Sequence, residues 1–239
     1  MKLVIPENIP RRKRRILGPL GRFLMKVFNW DIKGEFPTNK RMVLIAVPHT
    51  AMRDAWYALL AVLALDLRIN FFGAKWIFTR LPSLFTISKS LDRLGIPWPL
   101  GWLQSILLKR LGGIPVTREV NKGLISSVID TFSEIDNFIL AIAIEGGGFS
   151  TEDNPNKFRS GFYYITKALD IPYLPVTIDF GNREFRIMEP VFSEGTFEEE
   201  SQKIRELFDG VEGRGIANGS RLIFQDIVNE SGWSEPDID

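Results

Sequence analysis

The chain has 239 residues, with a single histidine and no cysteine. These counts exclude disulfides, thiolate nucleophiles, iron–sulfur clusters and zinc sites made from cysteine or from several histidines, and we expect no metal. A chain of this length can bury a core of its own.

The net charge of +1 hides a strong asymmetry along the chain. Residues 1–120 contain 20 Lys and Arg against 7 Asp and Glu, whereas residues 121–239 contain 10 against 22. The basic half is also rich in Trp, Phe, Leu and Ile, which favours an anionic membrane surface as its partner. We expect no nucleic-acid partner, because no zinc-finger, RNP or KH pattern occurs.

The first segment, 1–36, is predicted to be a basic amphipathic arm. A cluster at 11–15 (RRKRR) precedes apolar residues spaced by three and four, namely Ile16, Leu20, Phe23, Leu24, Val27 and Phe28. This pattern fits a helix lying in a membrane interface, and it equally fits an ordinary helix packed on the domain. Pro19 and its neighbouring glycines disfavour a long helix. No apolar run is long enough to cross a bilayer, so no transmembrane helix is expected.

The following residues predict one domain over 37–225 and a frayed tail over 226–239. Strands are predicted at 41–47, 69–72, 114–116, 138–144, 173–180 and 185–188, and helices at 52–65, 124–135, 158–169 and 197–209. The aromatic, Pro-containing stretch 76–111 has no clear pattern. Strands that alternate with helices indicate an α/β fold with a single, mostly parallel, mixed sheet flanked by helices. In such sheets, sites gather beyond the carboxyl ends of the strands.

The only histidine, His49, follows the first buried strand, and Asp54 comes five positions later. If His49 lies in the turn and Asp54 in the first turn of the next helix, the carboxylate can orient the imidazole. The imidazole can then remove a proton from a hydroxyl group. The alternative is a histidine satisfied by a local backbone or carboxylate bond. No G-x-S-x-G elbow and no cysteine are present, which disfavours a covalent acyl-enzyme.

Three further stretches fall near strand ends. LGGIPVTRE contains Gly113 and Arg118, and an arginine there can clamp a phosphate or simply pair with an acidic neighbour. AIEGGG contains Glu145 and the glycines 146–148, which can bring backbone amides to an anion or form a mobile loop. YLPVTIDF contains Pro175, which predicts a sheet edge, a bulge or a special turn.

Taken in order, these stretches resemble the four motifs of the glycerolipid acyltransferases, which include the 1-acyl-sn-glycerol-3-phosphate acyltransferases. The resemblance covers about 40–190 and rests on HxxxxD, GGIPVTR, IEGG and LPVTI. The segment 157–168 (KFRSGFYYITKA) also resembles the corresponding segment of bacterial members.

The resemblance implies direct acyl transfer from acyl-CoA or acyl carrier protein to the hydroxyl of a lysophospholipid, with no cofactor besides that co-substrate. It implies that His49 is the general base, that Asp54 orients it, and that Arg118 holds the phosphate of the acceptor. Substrate-binding positions carried over from the other motifs are Gly113, Glu145, Gly146, Gly147 and Pro175. It also implies a peripheral location on the cytoplasmic face of a membrane.

Two features depart from the family pattern. Ile144 replaces the usual proline of the third motif, and Gly147 and Gly148 replace polar and basic residues. Loss of a cation at this motif weakens the case for a lysophosphatidate acceptor, unless Lys157 or Arg159 replaces that cation. Another hydroxylated lipid is therefore an alternative acceptor. A non-catalytic lipid-binding protein is a further alternative. The apolar segment 76–97 is longer than usual, and it either lines an acyl-chain entrance at the membrane or packs in the core.

Overall fold

The apolar runs of the sequence form the middle of a seven-stranded sheet. The structure is a computed structural model that describes residues 4–13, 15–47, 52–81, 96–116, 123–144, 158–209 and 211. Its strands are β1 (Asp31–Lys33), β2 (Arg41–Val47), β3 (Asn70–Ala74), β4 (Arg80–Leu81), β5 (Ile96–Pro97), β6 (Gly113–Val116), β7 (Phe138–Ile142), β8 (Tyr173–Asp179) and β9 (Glu184–Ile187). Its α-helices are α1 (Leu17–Val27), α2 (Met52–Ala64), α3 (Gly101–Arg110), α4 (Leu124–Ser133), α5 (Gly161–Leu169) and α6 (Phe197–Leu207).

The strand order in the sheet is β1-β9-β8-β2-β7-β3-β6, and β4 and β5 form a separate antiparallel ribbon. The strands β8, β2, β7, β3 and β6 are parallel, whereas β9 is antiparallel to β8, and β1 runs with β9. The predicted α/β class and the mostly parallel, mixed sheet are therefore confirmed.

Side chains of the central strands alternate between two cores. On β2, Val43, Ile45 and Val47 pack with α4, α5 and α6, while Met42 faces the opposite core with α1 and α2. Burial on both faces explains why β2 and β7 are almost entirely apolar, because a parallel strand covered on both sides has no solvent face.

Helix α3 lies on the same face as α1 and α2. Ile114 packs in the core of α4, α5 and α6, so the adjacent Gly113 faces the other way. A Cβ atom at Gly113 would lie 2.9 Å from the Leu108 carbonyl oxygen and from the Phe78 ring. One face of the sheet therefore carries α1, α2 and α3, and the other carries α4, α5 and α6.

Two sequence expectations need correction here. Helix α1 continues from Leu17 to Val27 through Pro19 and its neighbouring glycines. Pro19 is tolerated because it lies in the first turn, where its missing N–H has no partner to lose. The stretch 76–111 contains the helix α3, which the sequence pattern did not reveal.

Pro175 lies in an interior strand and not at a sheet edge. It pairs with Ile45 of β2 and is buried, and its carbonyl oxygen accepts a hydrogen bond of 3.0 Å from the Met188 amide. The β8–β9 ladder begins only at Val176, so the missing N–H of Pro175 falls in a gap of the pairing. Of the three predicted alternatives, an edge, a bulge or a special turn, the edge was wrong, because an interruption in the pairing with the neighbouring strand accommodates proline equally well.

Candidate functional site

Three parallel strands that lead to predicted site residues end at one edge of the sheet. His49, Arg118 and Glu145 lie outside the described residues, as do Gly146 and Gly147. Their flanking residues are described: β2 ends at Val47, β6 ends at Val116, and β7 ends at Ile142. Because these strands are parallel, all three ends lie at the carboxyl edge.

Strand order sets the spacing along this edge. Strand β7 is the direct neighbour of β2 at a spacing of about 5 Å, and its last residue, Ile142, lies opposite Ile45, whereas β6 lies three strands from β2, at about 14 Å. Chain connectivity limits His49 to about 8 Å from the Cα of Val47. The segments that contain His49 and Glu145 therefore start side by side, and the segment that contains Arg118 starts farther along the edge.

Asp54 lies in the first turn of α2, the helix that follows β2 in the chain. Its exposed fraction is 0%, although α2 begins only five positions after Val47. A buried carboxylate is stable only when other groups compensate its charge, and the positive end of the helix dipole supplies part of that compensation. Asp54 also has an interaction partner. His49 is the one histidine of the sequence, so it is the one imidazole that Asp54 could orient.

Ile144 and Arg159, which flank the segment 145–157, meet at the carboxyl edge of the sheet. Ile144 is fully buried, and its carbonyl oxygen accepts a hydrogen bond of 2.6 Å from the Arg159 amide. The two ends of the segment are therefore tied together next to the end of β7. This bond also fixes the backbone of Arg159, one of the two cations that could replace the missing one, next to Ile144.

Aromatic rings around Tyr57 form a cluster that the sequence analysis missed. Tyr57 is three positions after Asp54 on the same helix face, and its ring stacks on Trp30 with centroids 4.6 Å apart. Phe180 follows the end of β8 and contacts both rings, at 5.0 Å from Trp30 and 5.6 Å from Tyr57. The only sequence signal was the spacing of Tyr57 from Asp54, since Trp30 and Phe180 lie far away in the chain.

The remaining predicted residues lie inside the sheet. Gly113 begins β6, at the opposite end from Arg118, where the Phe78 ring and the Leu108 carbonyl leave no room for a side chain. Pro175 pairs two positions before Val47 in the ladder between β2 and β8. Close packing is enough to explain a glycine at position 113. A contact of Gly113 or Pro175 with substrate stays a prediction.

Within the described part of the chain, no group of three or more His, Cys, Asp or Glu could hold a metal ion. No helix of that part is long and apolar enough to cross a membrane.

No protein-family model matches the chain, and no curated protein matches it. Among solved structures, the chain is similar to the 1-acyl-sn-glycerophosphate (LPA) acyltransferase PlsC from Thermotoga maritima, with 14% sequence identity and a TM-score of 0.49. The match covers 80% of this chain and 75% of that chain. An identity this low does not transfer a substrate from that enzyme to this chain.

Proposed function

We propose that this chain is an O-acyltransferase that moves a fatty acyl group from acyl-CoA or acyl carrier protein to a lysophospholipid. The proposed acceptor is 1-acyl-sn-glycerol-3-phosphate, which would give phosphatidic acid. The observation that carries the proposal is the buried carboxylate of Asp54, in the first turn of the helix that follows β2 and the only histidine.

In the proposed reaction, Asp54 orients His49, and the free ring nitrogen of His49 removes the proton from the acceptor hydroxyl. The resulting oxygen attacks the thioester carbonyl and forms a tetrahedral intermediate. The carbon–sulfur bond then breaks, and the thiolate takes the proton from the imidazolium. The acyl group ends on the acceptor oxygen and the proton on the released thiol, so no covalent acyl-enzyme is needed.

The acceptor phosphate is assigned to Arg118. Because the end of β6 lies about 14 Å from the end of β2, a cation there suits a headgroup that extends along the edge away from the reacting hydroxyl. Glu145, Gly146 and Gly147 would shape the acceptor site between these two points. We place Arg159 beside them as the cation that substitutes for the missing one in the third motif.

Location at a membrane belongs to the same proposal. Helix α1 packs on α2 through Gly18, Gly21 and Met25, yet it leaves its apolar stripe exposed to solvent, with Phe23 61% exposed. We propose a peripheral position on the cytoplasmic face of the membrane, reached through this arm.

The test is a screen of the purified full chain with labelled acyl-CoA against a panel of lysophospholipids, with the products identified by mass spectrometry. His49→Ala and Asp54→Asn should each lower the rate, and the loss for His49→Ala should be about 10²- to 10⁴-fold. Asp179→Asn is the matched control, since Asp179 is also a buried aspartate at the carboxyl edge and its carboxylate accepts hydrogen bonds from Asn182. Transfer at the wild-type rate in His49→Ala would exclude the mechanism.

The acceptor is tested with Arg118→Ala. We expect a higher KM for phosphorylated acceptors alone, by about 1.5–3 kcal/mol for each charged hydrogen bond lost. An equal effect on neutral acceptors would refute the phosphate assignment. It would favour the second candidate, another hydroxylated lipid as acceptor, which Gly147 and Gly148 already suggest.

A further inference from the structure

The two faces of the molecule differ in surface chemistry. On the face of α4, α5 and α6, the exposed positions of α4 are polar, namely Ser126, Ser127, Asp130, Thr131 and Ser133. On the opposite face, the exposed positions of α3 before its last two residues are all apolar, namely Trp102, Leu103, Ile106 and Leu107. Since α1, α2 and α3 come from the basic half of the chain, its charge asymmetry becomes an asymmetry between two faces.

Helix α1 carries a second exposed apolar stripe on this face. Ile16, Leu20, Phe23 and Val27 are exposed, while Gly21 and Met25 face inward. The helix runs antiparallel to α2, because Gly21 lies against Ala64 and Phe28 contacts Tyr57. The stripe is about 16 Å long and ends near the aromatic cluster around Tyr57.

A basic surface cleft lies at the start of α1. Its volume is about 410 Å³, and it is lined by Arg11, Lys13, Arg15, Gly18, Pro19, Arg22 and Asp66. Four of these side chains are cationic and one is anionic, so the lining has an excess of positive charge. The backbone of Lys13 adopts a φ of 52°, which an L-residue with a long side chain rarely does.

Arg12 connects the cleft to α3. Its guanidinium donates a hydrogen bond to the carbonyl oxygen of Arg110, at the end of α3, and its amide donates to the carbonyl oxygen of Asp66 at 3.1 Å. Burial and the neighbouring cation Arg68 lower the pKa of Arg12. The cationic side chains of the cleft and Arg12 therefore lie where the ends of α2 and α3 meet the start of α1.

We propose that the face of α1 and α3 docks on an anionic phospholipid bilayer, with both apolar stripes in the interface and a lipid phosphate in the basic cleft. The cleft neighbours the end of α2, opposite the carboxyl edge to which the catalytic residues are assigned, so the bound lipid is a docking ligand and not the acceptor. The proposal rests on the peripheral location in the proposed function and names its surface. Charge complementarity selects the occupant, since this face is cationic and a second copy of it would be repelled.

The apolar stripe of α3 is tested by vesicle sedimentation of the full chain without any acyl donor. The vesicles contain phosphatidylcholine alone or mixed with phosphatidylglycerol. Leu103→Glu combined with Leu107→Glu should lower binding about tenfold or more, because both residues leave the interface and add negative charge. Ser127→Glu combined with Thr131→Glu on α4 is the matched control, with the same charges at the same spacing, and should bind like the wild type.

The cleft is tested by Lys13→Ala combined with Arg15→Ala. Each cation near an anionic leaflet contributes about fivefold to binding, so the pair should lower binding to the phosphatidylglycerol vesicles at least tenfold. Binding to phosphatidylcholine alone should change little. Arg183→Ala, an exposed cation of the β8–β9 turn, is the control. Inorganic phosphate at constant ionic strength should not compete, since the apolar stripes select phosphate carried by a bilayer.

Two results would overturn the proposal. The first is wild-type vesicle binding by the α3 double variant or by the cleft variant. The second is a wild-type dimer in light scattering that Leu103→Glu with Leu107→Glu converts to a monomer, which would show that α3 covers a second copy. Because no acyl donor is present, failure of docking is distinct from failure of the catalytic proposal.

Discussion

Two glycines on one face of α1 should respond in opposite ways to the same substitution. Gly18 and Gly21 both face α2, and both are buried. A Cβ atom at Gly21 would lie 2.6 Å from the Ala64 amide nitrogen and 2.9 Å from the Leu63 carbonyl carbon. At Gly18 the nearest atoms are the Arg22 guanidinium at 3.5 Å and the Leu63 carbonyl oxygen at 3.7 Å, which is ordinary contact.

The magnitudes follow from these distances. Gly18→Ala should stabilise the fold by about 0.4–1 kcal/mol, because alanine restricts the unfolded chain and fits the helix without a clash. Gly21→Ala restricts the unfolded chain by the same amount, but its methyl group meets backbone atoms of α2 that cannot rotate away. Overpacking of this kind costs about 1–3 kcal/mol, so the net effect should be a destabilisation of about 1–2 kcal/mol.

The assay is urea unfolding of both variants and the wild type, followed by circular dichroism. The expected order of stability is Gly18→Ala, wild type, Gly21→Ala. If Gly21→Ala were as stable as Gly18→Ala, α1 would not rest on α2 through this face. Its apolar stripe would then have no reason to point outward, and the docking surface would lose its basis.

Two further predictions concern buried carboxylates. Tyr173→Phe removes a hydroxyl group that donates to Glu200 at 2.8 Å and should destabilise the fold by about 1.5–3 kcal/mol in the same unfolding assay, so an unchanged midpoint would show that this bond contributes nothing. The hydrogen bond from Lys33, followed by that from Arg186, lowers the pKa of Glu184 despite its burial. Its contribution to stability is therefore present above the ordinary glutamate pKa of about 4.3 and is lost as the pH falls through the lower folded value. Glu184→Gln should make stability depend less on pH on the acid side, and parallel acid profiles of the two proteins would contradict this.

The sheet could be predicted where burial on both faces leaves a continuous apolar run. Strand β2 begins and ends where the sequence indicated, and β7 begins at the predicted Phe138. The three-residue strand β1 has polar residues at both ends and gives no such signal. Helix α3 was missed for a different reason, because its solvent-exposed side is apolar and hides the period expected of a surface helix.

For the candidate site, the sequence predicts the spacing of residues along the chain but not which strands are neighbours. The sequence places His49 five positions before Asp54, and the strand order then adds what spacing cannot show, namely that β7 adjoins β2 whereas β6 does not. The ring contacts of Trp30 and Phe180 around Tyr57 join distant parts of the chain, so no local pattern could reveal them.

The pairing of His49 with Asp54 is tested most directly by NMR titration of the imidazole. The chain contains one histidine, so the titrating ring-proton signals of imidazole all belong to His49. An adjacent carboxylate favours the protonated imidazole, so the titration midpoint should fall by about one pH unit or more in Asp54→Asn. It should stay unchanged in Asp179→Asn. An identical midpoint in Asp54→Asn and the wild type would show that the carboxylate does not contact the imidazole, and the proposed catalytic pair would be contradicted.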